Sequence, residues 1–437
     1  MMERLSIKKL GPIEKCEIEI NEFMILTGPQ ASGKSTVSKC VFFFENLKGL
    51  LTGLIQKSLI ATDQSAREIT LYNRFIQEIR NNFLQIFGTT WAMDPDMTIS
   101  YVYGNKEVVS ISLTQSDEIN NFAYIEISRG LRDGIFALEK KYLKSADVVL
   151  SLNEIKKDVY RNLFCNEREI VYIPAGRSLI TLLSSQINYL YSTMDDQQKR
   201  SLDYCTQNYL ERILQIKPFF RESLSQLILN ELMTTDRRFD QSVLRLAADI
   251  SRKILKGEYR SIDGDERLQI SAEKYIKINY ASSGQQEAVW ILNVLLYYML
   301  NGNKVQFIIE EPESHLYPDA QKLMTDYIAL VATSGNRILM TTHSPYVLGS
   351  VNNLLYARHI STKVDTKKLE GLCDPHLWLD FHSMQAFHVQ NGLLRDCTDS
   401  AFENIENDVI DGASDDINNQ FEKMVDLVHK NELEDHE

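Results

Sequence analysis

The sequence predicts an α/β protein with a mixed central sheet flanked by helices, and three observations lead there. A short apolar strand, Phe23 to Thr27, runs into a glycine-rich loop and then an apolar helix. A second apolar strand, Val305 with Phe307 to Ile309, is followed by a helical pattern over Asp319 to Thr333 and a third strand over Arg337 to Thr342. Between these halves, Ser178 to about Leu255 is helical in pattern with no strand signal. Strand–helix alternation at both ends describes a sheet covered on its faces. The all-helical middle reads as an insertion into it.

Each element has its own signal. Alternation at Cys16, Ile18 and Ile20 marks a half-buried strand, with Gly11-Pro12 turning the chain before it. The helix after the glycine loop is expected from Lys34 to about Asn46, and amphipathic helices fill residues 47 to 95, for example through Leu71, Phe75, Ile76 and Ile79. "MTISYVYGNKEVVSISLTQ" reads as a hairpin turning at Gly104-Asn105-Lys106. More helix leads to a strand over Ile170 to Ile173 that ends in "PAGR". Polar breaks divide the insertion into three or four helices, too short and irregular for a coiled-coil arm. A strand pair follows around Gly264-Asp265, and the tail after about Leu394 is polar and expected to be helical. The expected organisation is residues 1–177 and 262–375 as two parts of one head, 178–261 as the helical insertion, and 376–437 as a C-terminal helical, acidic segment.

The chain has 437 residues, 44% hydrophobic and 24% charged, with a formal net charge of −13. That excludes an extended basic surface, so nucleic acid could bind only through a local patch. Candidate patches are Lys140, Lys141 and Lys144, Lys156 and Lys157, and Arg252, Lys253 and Lys256, each of which also reads as a solvated helix face. No apolar run reaches the ~18 residues that span a bilayer, and "MMERLSIKKL" has no hydrophobic core of a secretory signal. Six scattered cysteines without a CxxC pair suit a reducing, cytoplasmic setting.

"GPQASGKST" fits G-x-x-x-x-G-K-[ST] between a strand and a helix, the context a phosphate cradle needs. Backbone N–H groups of Gly28, Gln30, Ala31, Ser32 and Gly33, with Pro29 contributing none, lead to a helix N-terminus that favours anions. Lys34 would reach the β- and γ-phosphates and Ser35 would ligate Mg²⁺, with Thr36 completing the motif. The expected ligands are therefore ATP and Mg²⁺. Such a site needs a carboxylate for the metal and a second to orient water. Glu310 and Glu311, ending the Val305 strand, supply them in that order. Glu313 and Asp319 fit better as turn and helix-start acids.

"ASSGQQE", Ala281 to Glu287, opens a strongly apolar helix and offers hydroxyls and free N–H groups to an anion. The order of P-loop, S-S-G-Q, strand with two acids, and strand ending "TTHS" resembles the ABC-type ATPase head. That resemblance implies a P-loop NTPase fold in which Ser282, Ser283, Gly284 and Gln285 act in trans on the nucleotide of a second subunit. It also makes His343 the switch histidine at the γ-phosphate. "EPESHLYP" and "TTHSPYVL" are similar to the soluble RecF/SMC-related branch, especially the AAA-type ATPases of OLD-family nucleases and of anti-phage systems such as Septu and PARIS. The glutamine that senses Mg²⁺ in ABC heads has no clear counterpart. Arg177 in "PAGR" is one substitute, Gln186 another, and Arg177 reads equally as a helix-start arginine paired to an acid.

No D-x-D at a strand end follows His343, so the TOPRIM nuclease domain of OLD-family proteins is not expected; Asp263-Gly264-Asp265 lies in a hairpin turn before the signature. His376, His382 and His388 are six apart, a poor spacing for one metal site on a helix. The resemblance thus implies an ATPase that forms a homodimer or higher oligomer on ATP and controls a separate effector, a nuclease or toxin, in prokaryotic defence. DNA is left open as a further ligand. The alternative is a RecF-like repair factor that clamps DNA without an effector; a transport subunit fits the motifs least.

Overall fold

The computed structural model describes residues 3–60, 69–114, 122–144, 151–178, 180–181, 203–234, 240–262, 264–406 and 418–424. The chain begins with β1 (Arg4–Leu10), β2 (Ile13–Glu19) and β3 (Phe23–Thr27), followed by α1 (Lys34–Ile60) and α2 (Leu71–Phe87). Next come β4 (Thr98–Val102), β5 (Val108–Thr114), β6 (Phe122–Ile127), α3 (Arg129–Leu143), the short α4 (Leu152–Lys157) and β7 (Glu169–Ile173). Three helices, α5 (Tyr204–Ile216), α6 (Leu224–Thr234) and α7 (Gln241–Leu255), lead to β8 (Glu258–Ile262), β9 (Asp265–Gln269) and β10 (Tyr275–Lys277). Then α8 (Ser283–Asn301), β11 (Val305–Glu310), α9 (Pro318–Thr333), β12 (Arg337–Thr342) and α10 (Pro345–Ile360) complete the helical layers. Finally β13 (Met384–Gln390) and β14 (Leu393–Asp396) re-enter the sheet.

An eleven-stranded sheet organises the protein in the order β6-β5-β4-β1-β2-β14-β13-β3-β12-β11-β7. β13, β3, β12, β11 and β7 run parallel, whereas β6, β5, β4, β1 and β2 form an antiparallel meander. The parallel strands are buried on both faces, which is why they read as continuous apolar runs. Met24, Leu26, Ile308 and Leu339 face a core shared with α1 to α3, while Phe23, Ile25, Phe307, Ile309, Ile338 and Met340 face a second core against α8 and α9.

The structure departs from the sequence expectations in α1 and in the tail. α1 does not stop near Asn46; Leu47, Leu51 and Ile55 continue its buried stripe to Ile60. Residues 384–396 are not part of a helical C-terminal segment. Met384, Ala386 and Val389 are buried in β13, which pairs with β3 beside the glycine loop, and β14 joins it to β2. Met384 and Ala386 face one core and Phe387 and Val389 the other, so the strand is buried on both faces and carries no alternation that the sequence could reveal. Residues 418–424 are helical, and the rest of the chain beyond 406 lies outside the described residues.

The segment between β7 and β8 carries α5 to α7, and β8 begins before residue 261. It packs into the second core: Tyr209, Ile213, Leu244 and Ala247 share it with Trp290, and the Tyr259 ring lies 5.1 Å from the Trp290 ring.

Candidate functional site

Parallel topology brings the C-terminal ends of β3, β11, β12 and β13 to one edge, where ligands of open α/β sheets bind. β3 delivers the glycine loop. Gly28, Ala31 and Gly33 have φ of 136°, 57° and 108°. A Cβ on Gly28 would lie 2.2 Å from the Val389 carbonyl oxygen of β13, and one on Gly33 2.4 Å from Ile13 Cδ1. The loop is therefore held between β13 and the β1–β2 turn, and its glycines serve packing as well as backbone freedom. Lys34 Nζ curls over the loop and donates to the carbonyls of Gly28 (2.9 Å) and Pro29 (2.7 Å). Burial pushes its pKa below the usual lysine value against the opposing pull of Glu311, Glu313 and Glu310, so the three acids share its surroundings.

Glu310 closes β11 inside the site. Its Oε2 accepts from the Ala175 N–H at 3.1 Å, while Oε1 is buried with no hydrogen-bond partner. A buried carboxylate oxygen without a hydrogen-bond partner, beside a phosphate loop, has the chemistry of a ligand to Mg²⁺. Glu311 has a φ of 43°, a left-handed conformation that costs a non-glycine residue ~1–3 kcal/mol. Its N–H donates to the Thr341 carbonyl at 3.0 Å, its Oε1 lies 3.4 Å from His343 Nε2, and its Oε2 accepts from Ser314 Oγ at 3.3 Å. The strained turn thus aims a partly exposed carboxylate at the histidine.

Glu313 has a part that the sequence reading did not give it. Its Oε1 accepts from the Thr342 hydroxyl (2.7 Å) and the His343 N–H (2.8 Å), fixing the backbone of the histidine at the end of β12. Glu311 and Glu313 therefore grip His343 by side chain and main chain respectively.

Arg177 is buried and held by partners within the protein. It is 0% exposed; its guanidinium donates to the carbonyls of Pro174, Glu310 (2.6 Å) and Glu311 (2.9 Å), and Nε lies 3.2 Å from Glu287 Oε2. The Glu287 carboxylate also accepts from the N–H groups of Arg177 and Ser178. The pairing to an acid at a helix start is thus the arrangement found, and Arg177 joins the ends of β7 and β11 to α8. Gln186 lies outside the described residues.

Ser282 caps α8, with Gln285 returning the interaction in a capping box: Gln285 N–H donates to Ser282 Oγ and Gln285 Oε1 accepts from Ser282 N–H at 3.0 Å. Gln285 Nε2 donates to Leu255 O at 2.7 Å, so its amide is held within its own chain. Ser282 and Ser283 are exposed, and a Cβ on Gly284 would lie 2.6 Å from the His315 carbonyl. That close approach ties the signature turn to the segment after Glu313.

Two further features border the loop. His388 on β13 pairs in register with Thr27, the last residue of β3. Burial, Arg395 and Lys34 hold its pKa below the usual histidine value. On the other side lies a cavity of about 670 Å³ between the β1–β2 turn (Lys9, Gly11), Ser35, Thr36 and Lys39 of the loop and α1, and the segment carrying Trp91. Trp91 is 81% exposed. Its signal in sequence, a lone tryptophan in a polar stretch, is too weak to find.

His376, His382 and His388 do not converge. His376 pairs with Asp374 (2.8 Å) and Asp240 (3.3 Å), and among the described residues no group of three or more His, Cys, Asp or Glu could hold a metal. Also among the described residues, no helix is long and apolar enough to cross a membrane.

A family model described as an AAA ATPase domain matches residues 1–348. The chain belongs to the AAA ATPase domain family. No curated protein matches this AAA ATPase in sequence. Among solved structures it is similar to an SMC head bound to the C-terminal winged-helix domain of ScpA, at 12% identity and a TM-score of 0.42, covering 90% of this chain and 96% of that one. The SMC head domain from Thermotoga maritima matches at 11% identity and a TM-score of 0.36, over 90% and 97% of the two chains. The ADP conformation of an ATP-binding cassette of an ABC transporter matches at 12% and 0.32, over 94% and 95%.

Proposed function

We propose that this AAA ATPase binds Mg·ATP on the Gly28–Thr36 loop, hydrolyses it, and does so as a dimer in which each active site takes its signature turn from the partner. The observation that carries the reading is the orphaned Glu310 Oε1 beside the strained, His343-facing Glu311 at the loop that holds Lys34. Ser35 and Glu310 would hold the metal, which would neutralise phosphate charge. Glu311 would accept the proton of the attacking water, and His343 would donate a hydrogen bond to the transferring phosphoryl group. Lys34 exchanges its two loop carbonyls for phosphate oxygens. The cavity at Lys9, Thr36 and Trp91 receives the ribose and base. Exposed Ser282 and Ser283 supply the second half of a composite site in the partner.

The wider role is control of a separate effector, a nuclease or toxin, in anti-phage defence; the motifs "EPESHLYP" and "TTHSPYVL" support it. Complementation tests the dimer. Lys34→Ala and Ser283→Arg proteins are each expected to lose turnover. Mixed, they form dimers with one intact composite site, and activity returns. If the mixture stays inactive while both variants bind one another, the trans arrangement is wrong.

A further inference from the structure

The three-stranded sheet that leads into the Ser282 turn carries an unexplained row of cations. β8 and β9 alternate, burying Tyr259, Ser261, Glu266 and Leu268 and turning Glu258, Arg260, Arg267 and Gln269 to the other face. Their register sets Arg260 directly opposite Arg267, and Arg267 directly opposite Lys277 on β10. Like charges opposed across strands weaken a sheet, so folding does not account for the row.

Arg252 and Lys256, from the end of α7, join Arg260 and Arg267 around a cavity of about 520 Å³. Glu258 is the one acid in its lining, and it is already engaged by the Leu224 N–H (2.9 Å) and Arg252 Nε (3.3 Å), with Arg260 Nη2 at 3.4 Å. Asp249 also pairs with Arg252, and Asp265 with Lys277, which lies outside the cavity. The Nε atoms of Arg260 and Arg267 are both buried with no hydrogen-bond partner. The Arg267 guanidinium lies over the Tyr275 ring, 4.8 Å from its centre.

We propose that this face binds the phosphate backbone of a single nucleic-acid strand. Three cations on adjacent strands extend over roughly 10 Å, more than one phosphate covers, so the row fits a polymer better than a lone anion. Guanidinium forks match phosphate oxygens, and the exposed Tyr275 offers a base the ring face that Arg267 does not cover. On a chain of net charge −13 such a patch is local, as nucleic-acid binding by an acidic protein requires. A bound strand would also press on the signature. Leu255, between Arg252 and Lys256, accepts from Gln285 Nε2, and β10 passes through a single turn to Ser282. That coupling rests on the proposed ATPase; the binding does not.

Fluorescence anisotropy with a short fluorescein-labelled single-stranded oligonucleotide, without ATP, tests the proposal. The wild type is expected to bind with an affinity that falls with salt, at a log–log slope of about −0.7 per phosphate contacted. Arg267→Glu is expected to weaken binding at least tenfold (about 1.4 kcal/mol) and flatten that slope. It places a carboxylate opposite Arg260, so its melting temperature should not fall, which separates lost binding from lost folding. Lys34→Ala should bind the strand like the wild type, keeping this test apart from the ATP reading. Equal affinity of wild type, Arg260→Glu and Arg267→Glu, or no binding by the wild type, overturns the proposal. Arg267-dependent binding of inorganic phosphate without strand binding would instead mark a small-anion site and overturn it too.

Discussion

Replacing Arg177 by Met, which keeps most of the volume and removes the charge, separates a buried strut from a phosphate sensor. The substitution takes a donor from the carbonyls of Pro174, Glu310 and Glu311 and leaves Glu287, 1% exposed, without its cation. Removing one partner of a buried ion pair costs ~3–5 kcal/mol. Glu287 keeps two backbone N–H donors, so the low end, about 3 kcal/mol, applies. At ~2–4 °C per kcal/mol for mid-sized domains, nucleotide-free protein should melt on the order of 6–12 °C lower. Differential scanning fluorimetry without ATP measures this directly, and urea unfolding should show the same loss. Turnover should fall as well, because the carbonyls that Arg177 holds belong to Glu310 and Glu311. An unchanged nucleotide-free melting temperature together with lost ATP affinity would refute the strut and return Arg177 to the phosphates.

Other outcomes follow from the same geometry. Trp91→Ala should weaken ATP binding by the ~1–3 kcal/mol of a base–aromatic stack while leaving inorganic triphosphate binding untouched; equal calorimetric affinities for ATP would exclude Trp91 from the base. For His376, burial lowers the pKa but the hydrogen bonds to Asp374 and Asp240 outweigh it, so the net shift is upward. A raised folded-state pKa contributes stability that is full below the ordinary value of 6.5 and is lost as pH rises through the folded value. The melting difference between wild type and His376→Gln should therefore be larger at about pH 5 than at about pH 8, and a difference that grows with pH would contradict the pairing.

What the sequence made legible was whatever rests on local pattern. The glycine loop, the strand ending at Glu310 and the Ser282 cap each combine a periodic run with punctuation, and all stand where the pattern puts them. Residues whose part depends on distant partners were not legible. Glu313 looks like one more acid in a turn, and only the return of β12 shows that it holds His343. β13 hides in a tail of acidic composition, yet its pairing with β3 walls the glycine loop. Arg177 sits at the expected strand end, but its direction is set by Glu287, more than a hundred residues away. Arg260, Arg267 and Lys277 become a row only through the register of three strands.

The most direct test of the central claim is Glu311→Gln, assayed for ATP turnover and for mass in solution with and without Mg·ATP. The substitution keeps the shape and removes the charge that orients water, so turnover should stop, ATP should remain bound, and a dimer should accumulate only with nucleotide. Turnover at the wild-type rate, or a monomer with ATP bound, would contradict the account.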